Sequence, residues 1–321
     1  MEEKIIVFST VFLGIFIEAA PFLLLGSFAS GLVEVFVSRD NMTRLVPRSI
    51  IPATLMGGMM GFAFPVCECG VVPLTRRLFI KGFPVSAGIA FLLAAPIINP
   101  VALASTYAAY GFGDVLVMRF ALGLTIPVFI GMVFAVAGSA PKILLPSTYL
   151  APIRGASGVT SDSVERLEAI KVDAPVAGVT TPEPLVAQLR QATRVANDEF
   201  FEMAKYLIIG CILAALMQTF VTQEDILSLG SGPVTSVIFM QVLAYVLSVC
   251  STVDAFISLS FVNAFTTGSI LGFLVFGPMV DIKSTLMFLG VFRKNVVFYL
   301  VAVAFLSVLL VSVFINLNIG L

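Results

Sequence analysis

Two thiols flank a carboxylate at Cys67-Glu68-Cys69, followed by Gly70 and enclosed by Pro65 and Pro73. Thiolates are soft ligands that suit trivalent arsenic, monovalent copper, zinc, or a substrate with a thiol-reactive centre. Cys-x-Cys alone is a weak ligand signature, and cysteine is also a small apolar residue that packs closely between helices. A second cysteine opens the stretch Cys250-Ser251-Thr252-Val253-Asp254. If the two stretches meet, Cys67, Cys69 and Cys250 give a three-sulfur metal site, with Ser251, Thr252, Asp254 and Glu68 as further substrate-binding candidates. Glu68 and Asp254 also form a protonatable pair in a chain that has no histidine. The fourth cysteine, Cys211, lies inside an apolar run and reads as a packing residue.

A second pair of polar residues stands just beyond prolines. Asn99 lies three residues after Pro96 and directly before Pro100, and Asp281 lies three residues after Pro278. Proline removes a backbone donor and interrupts a helix. Paired breaks at membrane depth expose helix ends that hold ions or substrate groups, so Asn99 and Asp281 join the binding candidates. Lys283 offers the plainer alternative, a local neutraliser of Asp281. Glu18 and Glu202 occupy matching positions and read equally well as interfacial caps, structural hydrogen-bond formers or substrate contacts.

The elements that must position these residues are transmembrane helices. Of 321 residues 59% are apolar and 12% charged, against roughly 45–50% and about 25% in soluble domains. The mean hydropathy is +1.07, and apolar runs occupy 5–37, 50–66, 83–112, 115–138, 203–221, 234–250, 255–280 and 284–317. Several reach the roughly 20 residues that cross a bilayer as helix. A soluble globule is excluded. The net charge of −1 gives nucleic acid no basic surface, and four cysteines within or beside apolar segments do not make a secreted disulfide framework. No GxxxxGK[ST] loop is present, so ATP hydrolysis is not expected. The N-terminus, without a basic leader or a small-residue cleavage site, reads as a retained helix.

Residues 139–198, rich in Pro, Ala, Ser, Thr and mixed charge, divide the chain. The expected organisation is a first membrane repeat over 1–138, a largely flexible cytoplasmic linker over 139–198 with one short helix near 161–171, and a second repeat over 199–321. Three anchors relate the halves: F-x-E-x-A-x-x-L-x-x-G at Phe16–Gly26 and Phe200–Gly210, the two cysteine stretches, and F-L-x-x-x-P-x-x-[N/D] at Phe91–Asn99 and Phe273–Asp281. The separation between equivalents drifts by only two residues from the first anchor to the last. With Lys and Arg placed in the cytoplasm, each half counts three spans and one re-entrant hairpin turning at its cysteine motif. Three is odd, so the halves are expected to be inverted; eight plain spans with parallel halves is the rival. Arg119 and Lys4 do not fit the inverted scheme.

The run PVCECGVVPLTRRLFIKGFPVSAGIAFLLAAPIINP over 65–100, with LSVCSTVDAFIS and LGFLVFGPMVDIKS in the second half, resembles the bacterial predicted-permease family that includes the organoarsenical efflux permeases (ArsP-type). The resemblance covers both halves but not the linker. It implies an inner-membrane permease in which the positions matching the cysteine motifs, Cys67, Cys69 and Cys250, handle the thiol-reactive substrate. Glu68 stands where the family more often has a small hydroxyl residue, and its extra negative charge favours a cation over a neutral or anionic species.

The sequence therefore predicts an all-α polytopic membrane protein of two repeats, each of about four hydrophobic segments, with re-entrant or broken helices at the cysteine motifs. It predicts a secondary transporter exporting a soft metal or metalloid through a central site, rather than an enzyme. A passive channel for a small solute or ion, and a membrane thiol redox protein, are the competing functions. No cofactor is expected. The expected partners are membrane lipid and a small-molecule or ion substrate, a homo-oligomer stays open, and the expected location is the bacterial inner membrane.

Overall fold

The computed structural model describes residues 2–38, 42, 46–47, 49–64, 66–137, 143–145, 185–220, 232–262 and 264–318. Among them the first half holds α1 (Glu2–Phe36), α2 (Ile50–Ala63), α3 (Glu68–Ile80), α4 (Val85–Ile98), α5 (Pro100–Tyr110) and α6 (Asp114–Ala137). The second half holds α7 (Leu185–Phe220), α8 (Thr235–Leu247), α9 (Asp254–Leu259), α10 (Thr267–Met279), α11 (Ile282–Val291) and α12 (Lys294–Asn318). The order repeats: a long helix, a short apolar helix, a helix opening at a cysteine, a span broken in two, and a closing span. The chain is an all-α polytopic membrane protein.

Among the described residues, six segments are long and apolar enough to cross a membrane, Lys4–Phe36, Val85–Tyr110, Asp114–Val136, Leu185–Thr219, Thr267–Val291 and Lys294–Asn318, three in each half. Helices α2 and α8 have 14 and 13 residues, or about 20 Å at the helical rise, short of the roughly 30 Å hydrocarbon core. Each instead ends a few residues before a cysteine motif.

Helices α4 and α10 are the centre. Every residue of α4 is buried, as is nearly all of α10, and their apolar residues run around the whole circumference, as expected of helices surrounded on all sides. Helix α4 is flanked by α2 and α6, α10 by α8 and α12, and the two touch each other. Aliphatic and aromatic residues of α1 and α12, such as Ile5, Ile17, Leu24, Phe298, Leu310 and Phe314, face outward as a lipid-facing helix requires.

The two prolines on which breaks were expected in the central spans act near them. Pro96 lies within α4, which ends at Ile98; Asn99 is extended (φ −64°, ψ 149°) and Pro100 takes the first position of α5. Pro278 lies within α10, and Val280 and Asp281 are extended before α11. The residue at each break caps the next helix: Asn99 Oδ1 accepts the Ala102 N–H at 2.8 Å, and Asp281 Oδ1 accepts the Ser284 N–H at 2.6 Å. Such caps satisfy backbone donors that have no intrahelical partner.

Two expectations change. Pro73 does not interrupt: α3 runs through it from Glu68 to Ile80. A proline there forfeits one backbone bond and crowds one carbonyl, and the dense packing of α3 on α1, where Gly26 meets Gly70, holds the helix together. A Cβ on Gly26 would fall 2.2 Å from the Gly70 carbonyl oxygen, so only glycine allows this approach. The other change is at the start of the second half. Helix α7 begins at Leu185, so residues 185–198, expected within the linker, are helical. The short helix expected near 161–171, and the helix-break role of Pro65, lie outside the described residues.

Candidate functional site

Helix α3 starts because Cys67 stops being helical. Its backbone is extended (φ −83°, ψ 178°) while its carbonyl accepts the N–H groups of Gly70 at 3.1 Å and Val71 at 3.0 Å. Cys250 does the same in the other half, its carbonyl accepting from Val253 at 3.0 Å and Asp254 at 3.1 Å. Ahead of Cys250 the chain turns at Ser248, whose φ of +48° is the left-handed conformation. A non-glycine residue there is uncommon and marks a locally strained turn.

The two turns meet. The sulfurs of Cys67 and Cys250 and a carboxylate oxygen of Glu68 lie within 4.8 Å of one another. All three residues are buried, none more than 4% exposed, and all four cysteines are free thiols. Cys69 is fully buried and in contact with Cys67, but it stands outside the three-ligand set. A carboxylate therefore takes the place that the sequence had assigned to a third sulfur.

Lys283, at the start of α11, reaches into the same cluster. Its Nζ lies 3.0 Å from Glu68 Oε1 and 3.4 Å from Asp281 Oδ2, and it donates a hydrogen bond to the Ser248 carbonyl at 2.7 Å. One ammonium thus serves two buried carboxylates. Beyond these ion pairs with Lys283, neither Glu68 oxygen nor Asp281 Oδ2 has a well-aligned hydrogen bond among the described residues. Buried carboxylates without such bonds are costly, and the formal charge of this cluster is negative.

Asp254 is engaged elsewhere. Both its oxygens take a guanidinium fork from Arg119 on α6, at 2.9 and 2.7 Å. Arg119 also donates to Thr106 Oγ1 at 2.9 Å and to the Ser251 carbonyl at 3.3 Å. A bidentate, fully desolvated pair of this kind is a strong and specific contact. Tyr110 and Ser258, 2.7 Å apart through their hydroxyls, add to the seam between α5 and α9. Ser251 is buried beside this pair and Thr252 is half-buried. Asn99 donates weakly to the Val66 carbonyl at 3.4 Å, tying the break to the turn of its own half.

A third set of ion pairs fastens α3 to the long helices. Arg76 pairs with Glu202 at 2.7 Å, Arg77 with Glu199 at 2.8 Å and Glu34 at 3.4 Å, and Lys81 with Glu34 at 3.3 Å. Ser30 donates to Glu199. Glu202 therefore has a structural partner, while its counterpart Glu18, half-buried on α1, makes no described hydrogen bond or ion pair.

The structure thus brings Cys67, Glu68, Cys250 and Asp281 together, leaves Cys69 at their edge, and puts Asp254, Ser251 and Asn99 into neighbouring structural contacts. Sequence reasoning missed Arg119 as the partner of Asp254 and gave Lys283 only its local role. The available signal was a cation inside an apolar run, which needs a buried partner. An apolar cleft of about 450 Å³ between α8, α10 and α12, lined by Tyr245, Phe276, Phe298 and Phe305 among others, offers no ligand chemistry to an ion. The sulfur–carboxylate cluster offers two soft donors and one hard donor in a dry, negatively charged setting, which suits a soft cation.

Residues 5–317 match the model of an ArsP-type family described as "Predicted permease". The protein named "UPF0718 protein YcgR" of Bacillus subtilis (strain 168) is 41% identical over 294 residues, 91% of this chain and 91% of the relative. A Streptococcus mutans protein named "Putative two-component membrane permease complex subunit" is 32% identical over 302 residues, 94% of this chain and 92% of the relative. No solved structure matches. With the family model covering nearly the whole chain and both relatives aligned across both halves, the chain belongs to the ArsP-type predicted-permease family.

Proposed function

We propose that this membrane permease is a secondary transporter that exports a soft metal or metalloid cation across the bacterial inner membrane, with the substrate held between its two halves. The observation that carries this reading is the meeting of Cys67 and Glu68 from one half with Cys250 from the other, within 4.8 Å. Two sulfurs bind thiophilic ions, and Glu68 gives the cluster a charge that a cation neutralises. Because each half contributes ligands, a relative movement of the halves makes or breaks the site, which is what alternating access requires.

The reading includes an inverted repeat. It is supported by three candidate spans in each half among the described residues, since an odd number of crossings reverses the orientation of the second half relative to the first. The cross-half contacts are reciprocal as well: α3 packs on α11, and its counterpart α9 packs on α5. The segment between the halves is then cytoplasmic. The name of the Streptococcus mutans relative speaks of a two-component complex, and a second membrane component is accordingly part of the proposal.

The test is the content of soft metals and metalloids in cells with and without the protein, beside a Cys67→Ser chain of equal membrane abundance. Lower accumulation with the native chain, lost in Cys67→Ser, supports the transporter. Equal accumulation in all three rejects it. Flux that saturates distinguishes a carrier from a passive channel.

A further inference from the structure

Lys283 stands where a bound cation would have to compete with it. Lys283 is buried, its ammonium lies 3.0 Å from the Glu68 carboxylate, and that carboxylate lies within 4.8 Å of both Cys67 and Cys250 sulfurs. Helix α7 closes over it so tightly that a Cβ on Gly210 would fall 2.7 Å from the Lys283 Cα. The base of the lysine is therefore packed tightly against α7, and its charged end is directed at the ligand group rather than at water.

We propose that Lys283 is the specificity-determining residue of the Cys67–Glu68–Cys250 site, a tethered cation that occupies Glu68 and yields only to an ion that also gains sulfur bonds. The proposal rests on the transport reading above and deepens it. A hard cation such as magnesium or manganese gains from Glu68 the same kind of ionic contact that the ammonium already makes, and it must also shed tightly held water. A thiophilic cation makes that contact and adds two metal–sulfur bonds as the Cys67 and Cys250 thiols release their protons to water, so it displaces the lysine. The displaced ammonium does not become an unpaired buried charge. It keeps Asp281 at 3.4 Å and the Ser248 carbonyl at 2.7 Å, which explains why two carboxylates are gathered around one lysine. Selectivity then comes from competition inside the site, and a centre lacking Lys283 would present two carboxylates and two thiols open to any divalent ion.

The experiment uses the purified full-length protein in detergent, cadmium as the soft probe read by its thiolate-to-metal ultraviolet absorption, and manganese as the hard competitor. The native protein should show the cadmium band and keep its cadmium affinity in millimolar manganese. In Lys283→Met, manganese should weaken apparent cadmium affinity by about tenfold or more, the scale at which groups supporting a metal ligand act. Lys283→Met combined with Asp281→Asn removes the tethered cation while keeping the formal charge of the native cluster, so it covers the case in which the single variant does not fold. It should be equally sensitive to manganese. If the folded variants exclude manganese as well as the native chain does, the role given to Lys283 is overturned. A native protein with no cadmium band that Cys67→Ser removes would overturn the underlying site as well, and the two failures are thereby distinguished.

Discussion

Glu68 changes what two facing thiols can hold. With sulfur alone the centre would suit a neutral thiol-reactive species; with a carboxylate within 4.8 Å it suits a cation. On the proposed export of a soft cation, the native chain should protect cells against a thiophilic toxicant, Cys67→Ser and Cys250→Ser should each abolish that protection at unchanged membrane abundance, and Cys69→Ser should retain most of it. Unaltered resistance in the first two variants would show that the thiols only pack. A different outcome is expected at the second ionic pair. Asp254→Asn leaves the Arg119 guanidinium, buried in the protein, without its counter-ion and should cost about 3–5 kcal/mol. Arg119→Met with Asp254→Leu should recover most of that loss, measured by thermal unfolding of the purified proteins. The cysteines and carboxylates were legible in the sequence because their types are rare in apolar runs. Lys283 was legible as a neutraliser of Asp281, but the cross-half pairings were not: Arg119 and Asp254 are separated by 135 residues, and no local pattern records a pairing made by the fold of two halves onto each other.

Each central span is two helices, and the residue at each break does two jobs that substitution can separate. Asp281 caps α11 through the Ser284 N–H and also faces Lys283. Asp281→Asn keeps a capping side chain and removes the charge, so it should alter transport while leaving α11 as protected from amide exchange as in the native chain. Asp281→Ala should lose about 1 kcal/mol of cap energy and show faster exchange over the first turn of α11. If both variants exchange alike, the cap contributes nothing. The breaks themselves were readable from proline spacing, since Pro96 and Pro278 precede them by the same interval. Pro73 misled for a physical reason: its cost is local, and packing against α1 outweighs it. The start of α7 was obscured by composition. Residues 185–198 contain Leu, Ala, Gln and Arg, all good helix formers, but the charges among them resemble those of the linker that precedes them.

At the scale of the molecule, the sequence repeat becomes matching backbone hydrogen bonds at Cys67 and Cys250 and matching caps at Asn99 and Asp281. That correspondence was visible as three anchors in order. The meeting of the halves was not, because anchors record likeness and not contact. The proposed site depends on that meeting, and cross-linking tests it directly. In a chain carrying Cys69→Ala and Cys211→Ala, with a protease site inserted between residues 146 and 184, Cys67 and Cys250 are the sole thiols. After treatment in membranes with a short thiol-to-thiol cross-linker and cleavage at the inserted site, the two halves should remain joined on a denaturing gel, and should separate when either cysteine is replaced by serine. Halves that separate regardless of cross-linker would contradict a shared site between them.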